Sequence, residues 1–309
     1  MQNVPADPDS CCPLPLARAP RASGSDAPAH ASLRLPPAGL QGALVALLTR
    51  DTRALTLTAP QRLSHFPASP LVTISWFHQL DSGLVGPAPG QWQAFGAAVV
   101  VSGTQSKPVT TWTPTSGKGT MACFNADAAQ ALFGLDLAAI QDRFVPASEA
   151  IDASFAPLWE ALLACEDDAV LALLAAHLAP RWNALQGRRP DQLSLRQLGR
   201  NWVERLAWQA QDWGRVHSRR QVERRIKTFS GRSLRHWQSL VRTEGLFFAA
   251  RDRFEAGQPF DWATLAHEEG FADQAHMSRM TRRITGFAPG EFAQRFSDDE
   301  SFWVYRLWV

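Results

Sequence analysis

Residues Asp261–Phe292 read DWATLAHEEGFADQAHMSRMTRRITGFAPGEF, and the fold of the C-terminal half turns on this stretch. Asp273 is an N-cap candidate for a helix. At about 100° per residue, Met277, Met280 and Ile284 make one stripe to be buried. Ala275, Ser278, Arg279 and Arg282 occupy the opposite face, with Gln274 and His276 flanking it near the N-terminus. A solvated surface would account for charge there. A row mixing Arg, Ser, Gln and a small Ala also suits a helix in the DNA major groove: Arg pairs bidentately with guanine, Gln with adenine, and small side chains admit the thymine methyl.

The same pattern occurs earlier. Shifted by 55 residues, Val222, Ile226 and Phe229 fall on Met277, Thr281 and Ile284; Arg224 falls on Arg279, Lys227 on Arg282, Gly231 on Gly286, and the cap candidate Ser218 on Asp273. Arg220, Arg224 and Lys227 lie opposite the apolar stripe. Two diverged helical units of about 50 residues predict a pair of similar modules rather than a long array. Between them, Leu234–Phe254 reads as a long helix burying Trp237, Leu240, Val241, Phe247 and Phe248, with Gly245 as a point of kinking or close packing.

These residues carry a resemblance. Ala266, Gly270 and Phe271, then Asp273, Gln274, His276, Ser278 and Arg279, then Thr285, Gly286 and Pro289 resemble the second helix-turn-helix of AraC-family transcription regulators. Ser218–Ser233, SRRQVERRIKTFSGRS, is similar to that family's first recognition helix with its closing Gly. Two departures stand out. Leu206 and Ala207 precede Ser218 by four residues more than Leu265 and Ala266 precede Asp273, so either the first turn or its helix differs; and Thr281 stands where the family usually places Phe. Upstream, Gly119–Ala150 is similar to the end of an N-terminal domain attached to this pair in uncharacterised regulators.

The resemblance implies a transcription regulator whose two recognition helices enter successive major-groove segments about 34 Å apart on one face of double-stranded DNA. Base contacts are expected from Arg220, Glu223 and Arg224 in the first unit and Gln274, Ala275, His276, Ser278 and Arg279 in the second. Phosphate contacts are expected from Lys227, Arg232, Arg282 and Arg283. Glu223 could read cytosine, but an i,i+4 pair with Lys227 is the favoured use. His276 could instead be a hydrogen-bonded helper on the surface.

Working outward, residues 1–38 are rich in Pro, Ala, Ser and Asp and poor in aromatics, and read as a disordered tail. Leu71–Leu80, Phe95–Gly103 and Pro108–Gly117 read as strands, being β-branched and aromatic between Gly and Pro. A short helix capped by Asn125 or Asp127 should end at Gly134, and helices are expected around 154–165 and 167–186. The fold class is therefore α+β: a small β-rich domain at 39–150, a helical connector at 151–190, an all-α DNA-binding domain at 191–296 with two helix-turn-helix units joined by a long helix, and an aromatic tail at 297–309. Trp76, Trp92 and Trp112 are expected to fill the β core rather than line a ligand pocket. The tail, with Phe302, Trp303, Tyr305, Leu307 and Trp308, should pack back on a domain, a dimer contact being the lesser alternative.

Composition bounds the function. The 309 residues are 45% hydrophobic and 19% charged, room for about two domains. No apolar run approaches the roughly 20 residues of a membrane span, and the start lacks a secretory pattern, so a cytoplasmic protein is expected. The net charge of +2 conceals a split: residues 1–180 hold 9 Lys and Arg against 14 Asp and Glu, while 181–296 hold 21 against 12. Positive charge concentrated in one block fits a polyanionic partner. No catalytic motif, metal-ligand spacing or cofactor fingerprint is present, so neither an enzyme nor a cofactor or metal protein is expected. Two functions remain: a regulator whose N-terminal domain senses a small-molecule effector or mediates homodimerisation, or a ligand-binding or protein-interaction module whose helix-turn-helix pair no longer reads DNA.

Overall fold

The computed structural model describes residues 11–22, 30–78, 80–88, 90–186, 195–256 and 261–308. Among the described residues ten strands are formed before the long helices: β1 (Ala31–Arg34), β2 (Leu44–Asp51), β3 (Leu63–Phe66), β4 (Leu71–His78), β5 (Gly83–Val85), β6 (Trp92–Ala94), β7 (Val99–Ser102), β8 (Val109–Trp112), β9 (Lys118–Asn125) and β10 (Phe144–Pro146). They form two antiparallel sheets, one ordered β1-β2-β9-β4-β7-β10 and one ordered β3-β8-β5-β6. The three stretches read as strands contain β4, β7 and β8.

Strand β4 shows why the sheet has two different faces. Side chains alternate across a strand, and in LVTISWFH the even positions Val72, Ile74 and Trp76 are buried in the main core, under the helices. Leu71, Thr73, Ser75 and Phe77 point the other way, toward the second sheet. Trp76 and Trp112 are 0% and 2% exposed and fill core space, as expected; Trp92 is half-buried with its ring centroid 5.6 Å from that of Trp112.

Helices take over after β9: α1 (Ala126–Phe133), α2 (Leu137–Ile140), α3 (Ala147–Ala150), α4 (Ala156–Ala164), α5 (Val170–Gln186), α6 (Leu195–Gly214), α7 (Arg219–Ser230), α8 (Leu234–Glu255), α9 (Trp262–Glu268), α10 (Gln274–Thr285), α11 (Pro289–Asp298) and α12 (Trp303–Trp308). Helix α1 starts after Asn125 and stops at Gly134, which takes the left-handed conformation that glycine tolerates best. The fold is thus α+β, β-rich first and all-α after. One apolar cluster runs from Leu44, Val72 and Phe124 through α1, α4 and α5 into Leu206, Val222, Ile226, Trp237 and Leu240, so the β and helical halves share a core. A separate cluster joins Leu246 and Ala250 of α8 to Leu265, Ala266, Phe271 and Met277. The side chains of Phe247 and Phe248 lie outside the described residues.

The expected loose tail needs correction where it is described; its residues 1–10 and 23–29 lie outside the described residues. Residues 31–34 are strand β1, paired with β2. Residues 11–22 cross the far end of the molecule as a strap: Arg295 donates to the carbonyls of Leu16 (2.7 Å) and Ala17 (3.2 Å), the Glu300 amide donates to Ala19, and Pro20 bridges Asp299. Small residues and backbone carbonyls hold this strap, so its apolar-poor composition gave no sign of order.

Candidate nucleic-acid interface

The helix pairs α6–α7 and α9–α10 occupy the two stretches expected to form helix-turn-helix units. Recognition-helix candidates α7 and α10 are each 12 residues long and built alike. The Ser218 side chain accepts from the Gln221 amide while Gln221 reaches back to Ser218, a capping box; the Asp273 carboxylate accepts from the His276 amide at 2.5 Å. At the other ends Gly231 (φ 77°) and Gly286 (φ 87°) close the helices in the left-handed region. Val222 and Ile226 are buried on α7, and Met277, Thr281 and Ile284 on α10. Thr281 fills its core position with 0% exposure, its hydroxyl 3.7 Å from Met277 Sδ. The four extra residues of the first unit lie in the longer helix α6 rather than in the turn, which runs from Arg215 to the cap Ser218.

Most of the expected contact residues share an outward face. Arg220, Glu223, Arg224 and Lys227 are exposed on α7; Gln274, Ala275, Arg279, Arg282 and Arg283 are exposed on α10; His276 and Ser278 are half-buried beside them. Glu223 pairs with Lys227 at 3.0 Å, and that pairing holds its carboxyl below the usual range. The His276 ring stands edge-on to Phe271, and its Nδ1 lies 3.5 Å from the Ala272 amide. Arg283 donates to His236 Nδ1 at 3.0 Å.

Arg232, expected at a phosphate, is engaged with the β-rich half in this structure: it sits 2.8 Å from the Asp142 carboxylate and 2.9 Å from Ser106 Oγ. The charge of Asp142, 90 positions away in sequence, captures it. Its neighbour Gly231 lies so close to Gln141 that an added Cβ would sit 2.0 Å from the end of that side chain's amide. The second unit is gripped at the corresponding place: the Ala68 amide donates to the Ile284 carbonyl at 2.8 Å, and Gly286 rests on Pro108. Both candidate recognition helices are therefore held to the β-rich half by their C-terminal ends, leaving their N-terminal turns and cationic faces outward.

Between the two sheets lies a cavity of about 200 Å³. Leu48, Thr73, Ser75, Met121 and Thr111 line it from the strands, and Leu240, Ile284, Thr285, Trp303, Val304 and Tyr305 close it from the helical half. The aromatic tail thus packs back as expected, against the β-rich half and α11: Phe302 is fully buried, and Trp303 donates its indole N–H to Ser64 Oγ at 2.9 Å. Glu300 meets Arg50 of β2 at 3.2 Å, both side chains nearly buried. Burial pushes the Arg50 guanidinium below its usual range, opposed by Glu300. Sequence reading missed the cavity. The alternation in LVTISWFH, small hydroxyls opposite a Val-Ile-Trp stripe, was the available signal.

No family model and no curated protein matches the sequence. Among solved structures the chain is similar to ToxT from Vibrio cholerae, at 10% identity and a TM-score of 0.34 over 85% of this chain and 97% of that one. An apo single-substitution variant of ToxT gives 11% identity and 0.39 over 84% and 98%. ToxT bound to (E)-4-(8-methylnaphthalen-1-yl)but-3-enoic acid gives 8% and 0.36 over 87% and 100%.

Proposed function

We propose that this chain is a sequence-specific DNA-binding transcription regulator of the AraC type, with α7 and α10 reading two adjacent major-groove segments and a small molecule in the barrel cavity controlling them. The observation that carries the reading is the twin construction of α7 and α10: the same length, matching caps, and an apolar stripe inward with arginines outward. Helix α8, packed on both units, has 22 residues, and at about 1.5 Å per residue it spans roughly 33 Å. That matches the roughly 34 Å between successive major grooves on one face of DNA. Arg220, Arg224, Gln274, Ala275, His276, Ser278 and Arg279 are assigned to bases, and Lys227, Arg282 and Arg283 to phosphates. Glu223 is assigned to Lys227, and Arg232 to the grip on Asp142.

Selection of bound fragments from genomic DNA by the purified protein supplies the operator and the half-site spacing. On that operator, affinity should fall by about five decades per tenfold rise in salt if some six phosphates are neutralised. Arg279→Ala should cost about 1–3 kcal/mol on the operator and little on random DNA. Equal, weak binding to operator and random DNA, unchanged by the substitution, would instead identify a ligand-binding or protein-interaction module.

A further inference from the structure

We propose that the barrel cavity takes a neutral, mainly apolar molecule bearing a hydroxyl or carbonyl group, and that it rejects carboxylates. The proposal deepens the effector reading above and rests on it. Size comes first: apolar cavities of about 150 Å³ accept benzene, so about 200 Å³ holds a one- or two-ring molecule or a short chain. Polarity comes second. The hydroxyls of Thr73 and Ser75 on β4 and Thr111 on β8 line the cavity from facing sheets and have no protein partner among the described residues. They can each donate and accept one hydrogen bond without a charge.

Charge decides the class. Arg50 lines the cavity, but its two terminal nitrogens are already engaged by the Leu63 and Gln61 carbonyls, Ser64 Oγ and the Glu300 carboxylate. Its positive charge is cancelled at 3.2 Å. Arg62 donates to the Leu57 carbonyl at 2.8 Å and lies over the Trp112 ring. An incoming carboxylate would lose its water, meet an arginine already neutralised, and face the Glu300 charge behind it; burying a charge on those terms is expensive. A neutral molecule loses little. Because Ile284 and Trp303 wall the cavity from the helical half, the same molecule touches the end of α10 and the tail, and can shift the equilibrium between docked and released halves by its differential contacts.

The test is calorimetric titration of the full chain at pH 7.5 with matched pairs: benzyl alcohol and benzoate, 1-naphthol and 1-naphthoate, 1-octanol and octanoate. The neutral member should bind at least about tenfold tighter in the pair that fits. Ser75→Ala with Thr111→Val should weaken it by about fivefold to tenfold, the net worth of one or two hydrogen bonds. Glu300→Gln, which leaves the Arg50 charge uncompensated, should turn the preference toward the carboxylate; if that variant does not fold, the hydroxyl variant decides. Carboxylates binding as tightly as their neutral partners, or no neutral probe binding at all, overturns the proposal. DNA binding measured on the same protein separates the failures. A retained operator preference without probe discrimination sinks the ligand class alone, while probe discrimination without operator preference sinks the regulator reading alone.

Discussion

His65 on β3 and His236 on α8 are both held neutral. Burial pushes His65 down to about 4 against the opposing charge of Asp299, with Arg295 adding a smaller push downward, and its ring is wedged between Phe287 and Phe302. His236 is pushed down to about 4 by burial and by Arg283 and Arg232, and its Nδ1 accepts from Arg283. As the pH falls, the unfolded chain takes up these protons near 6.5, whereas the folded chain resists until about 4. The stabilisation is therefore complete above about pH 6.5 and is lost progressively between there and about 4. Stability in urea should drop over that window by up to about 1.4 kcal/mol per pH unit for each histidine. His236→Gln, which keeps an acceptor for Arg283, should reduce the slope by about half. A urea midpoint that does not move between pH 7 and pH 5 would show that neither ring behaves this way.

At the scale of elements, the glycines that end α7 and α10 invite direct comparison. A side chain in the left-handed region costs about 1–2 kcal/mol, and this should be nearly the whole effect of Gly286→Ala, whose Cβ would sit 3.6 Å from Pro108, an ordinary contact. Gly231→Ala should cost up to about 1 kcal/mol more, because the end of the Gln141 side chain must move and its amide contacts with the Gly231 carbonyl and Arg232 are disturbed. Thermal unfolding of the two variants side by side checks the order; equal losses would mean that the Gln141 side chain gives way at no cost. These helices were legible in the sequence because everything that builds them is local: cap, 3.6-residue stripe and closing Gly lie within about a dozen residues. The same holds for β4, β7 and β8. The partner of Arg232 was not legible, since Asp142 belongs to another element and no local pattern marks it. Of the cavity only the β4 wall left a mark, in its alternation of hydroxyls against Val, Ile and Trp; the rest was hidden for the same reason, its walls coming from both sheets, α8, α10 and the tail. The strap at residues 11–22 was hidden more deeply, because Arg295 reads carbonyls that every residue carries.

For the whole molecule, what matters is that the last dozen residues close a structure begun by the first. Asp299 pairs with Arg295 at 2.9 Å, Glu300 with Arg50, and Trp303 stacks on Arg50 with 5.3 Å to the ring centroid. Arg306 donates to the carbonyls of Phe296, Asp299 and Glu300, and burial pulls it down to about 10. Removing one member of a buried ion pair costs about 3–5 kcal/mol. Deleting residues 299–309 removes the partner of Arg50 and one wall of the cavity at once. The intact chain should melt as one calorimetric unit, and the shortened chain in two steps with the β-rich half first. A single transition of unchanged midpoint after the deletion would show that the tail is not a fastening.

The return of the tail to the barrel also governs how the protein can be taken apart. Cutting between Gln186 and Leu195 and transplanting everything downstream onto a foreign sensor would carry away one wall of the donor's cavity, and would leave Trp303 and Val304 without the strands they pack on, while Phe302 and Tyr305 keep their places against Phe287 and Phe292. A workable chimera must give Glu300, Trp303 and Val304 a new seat, because these residues pack with the β-rich half although they follow the helical half in the chain. Modularity here follows the packing, not the order of residues.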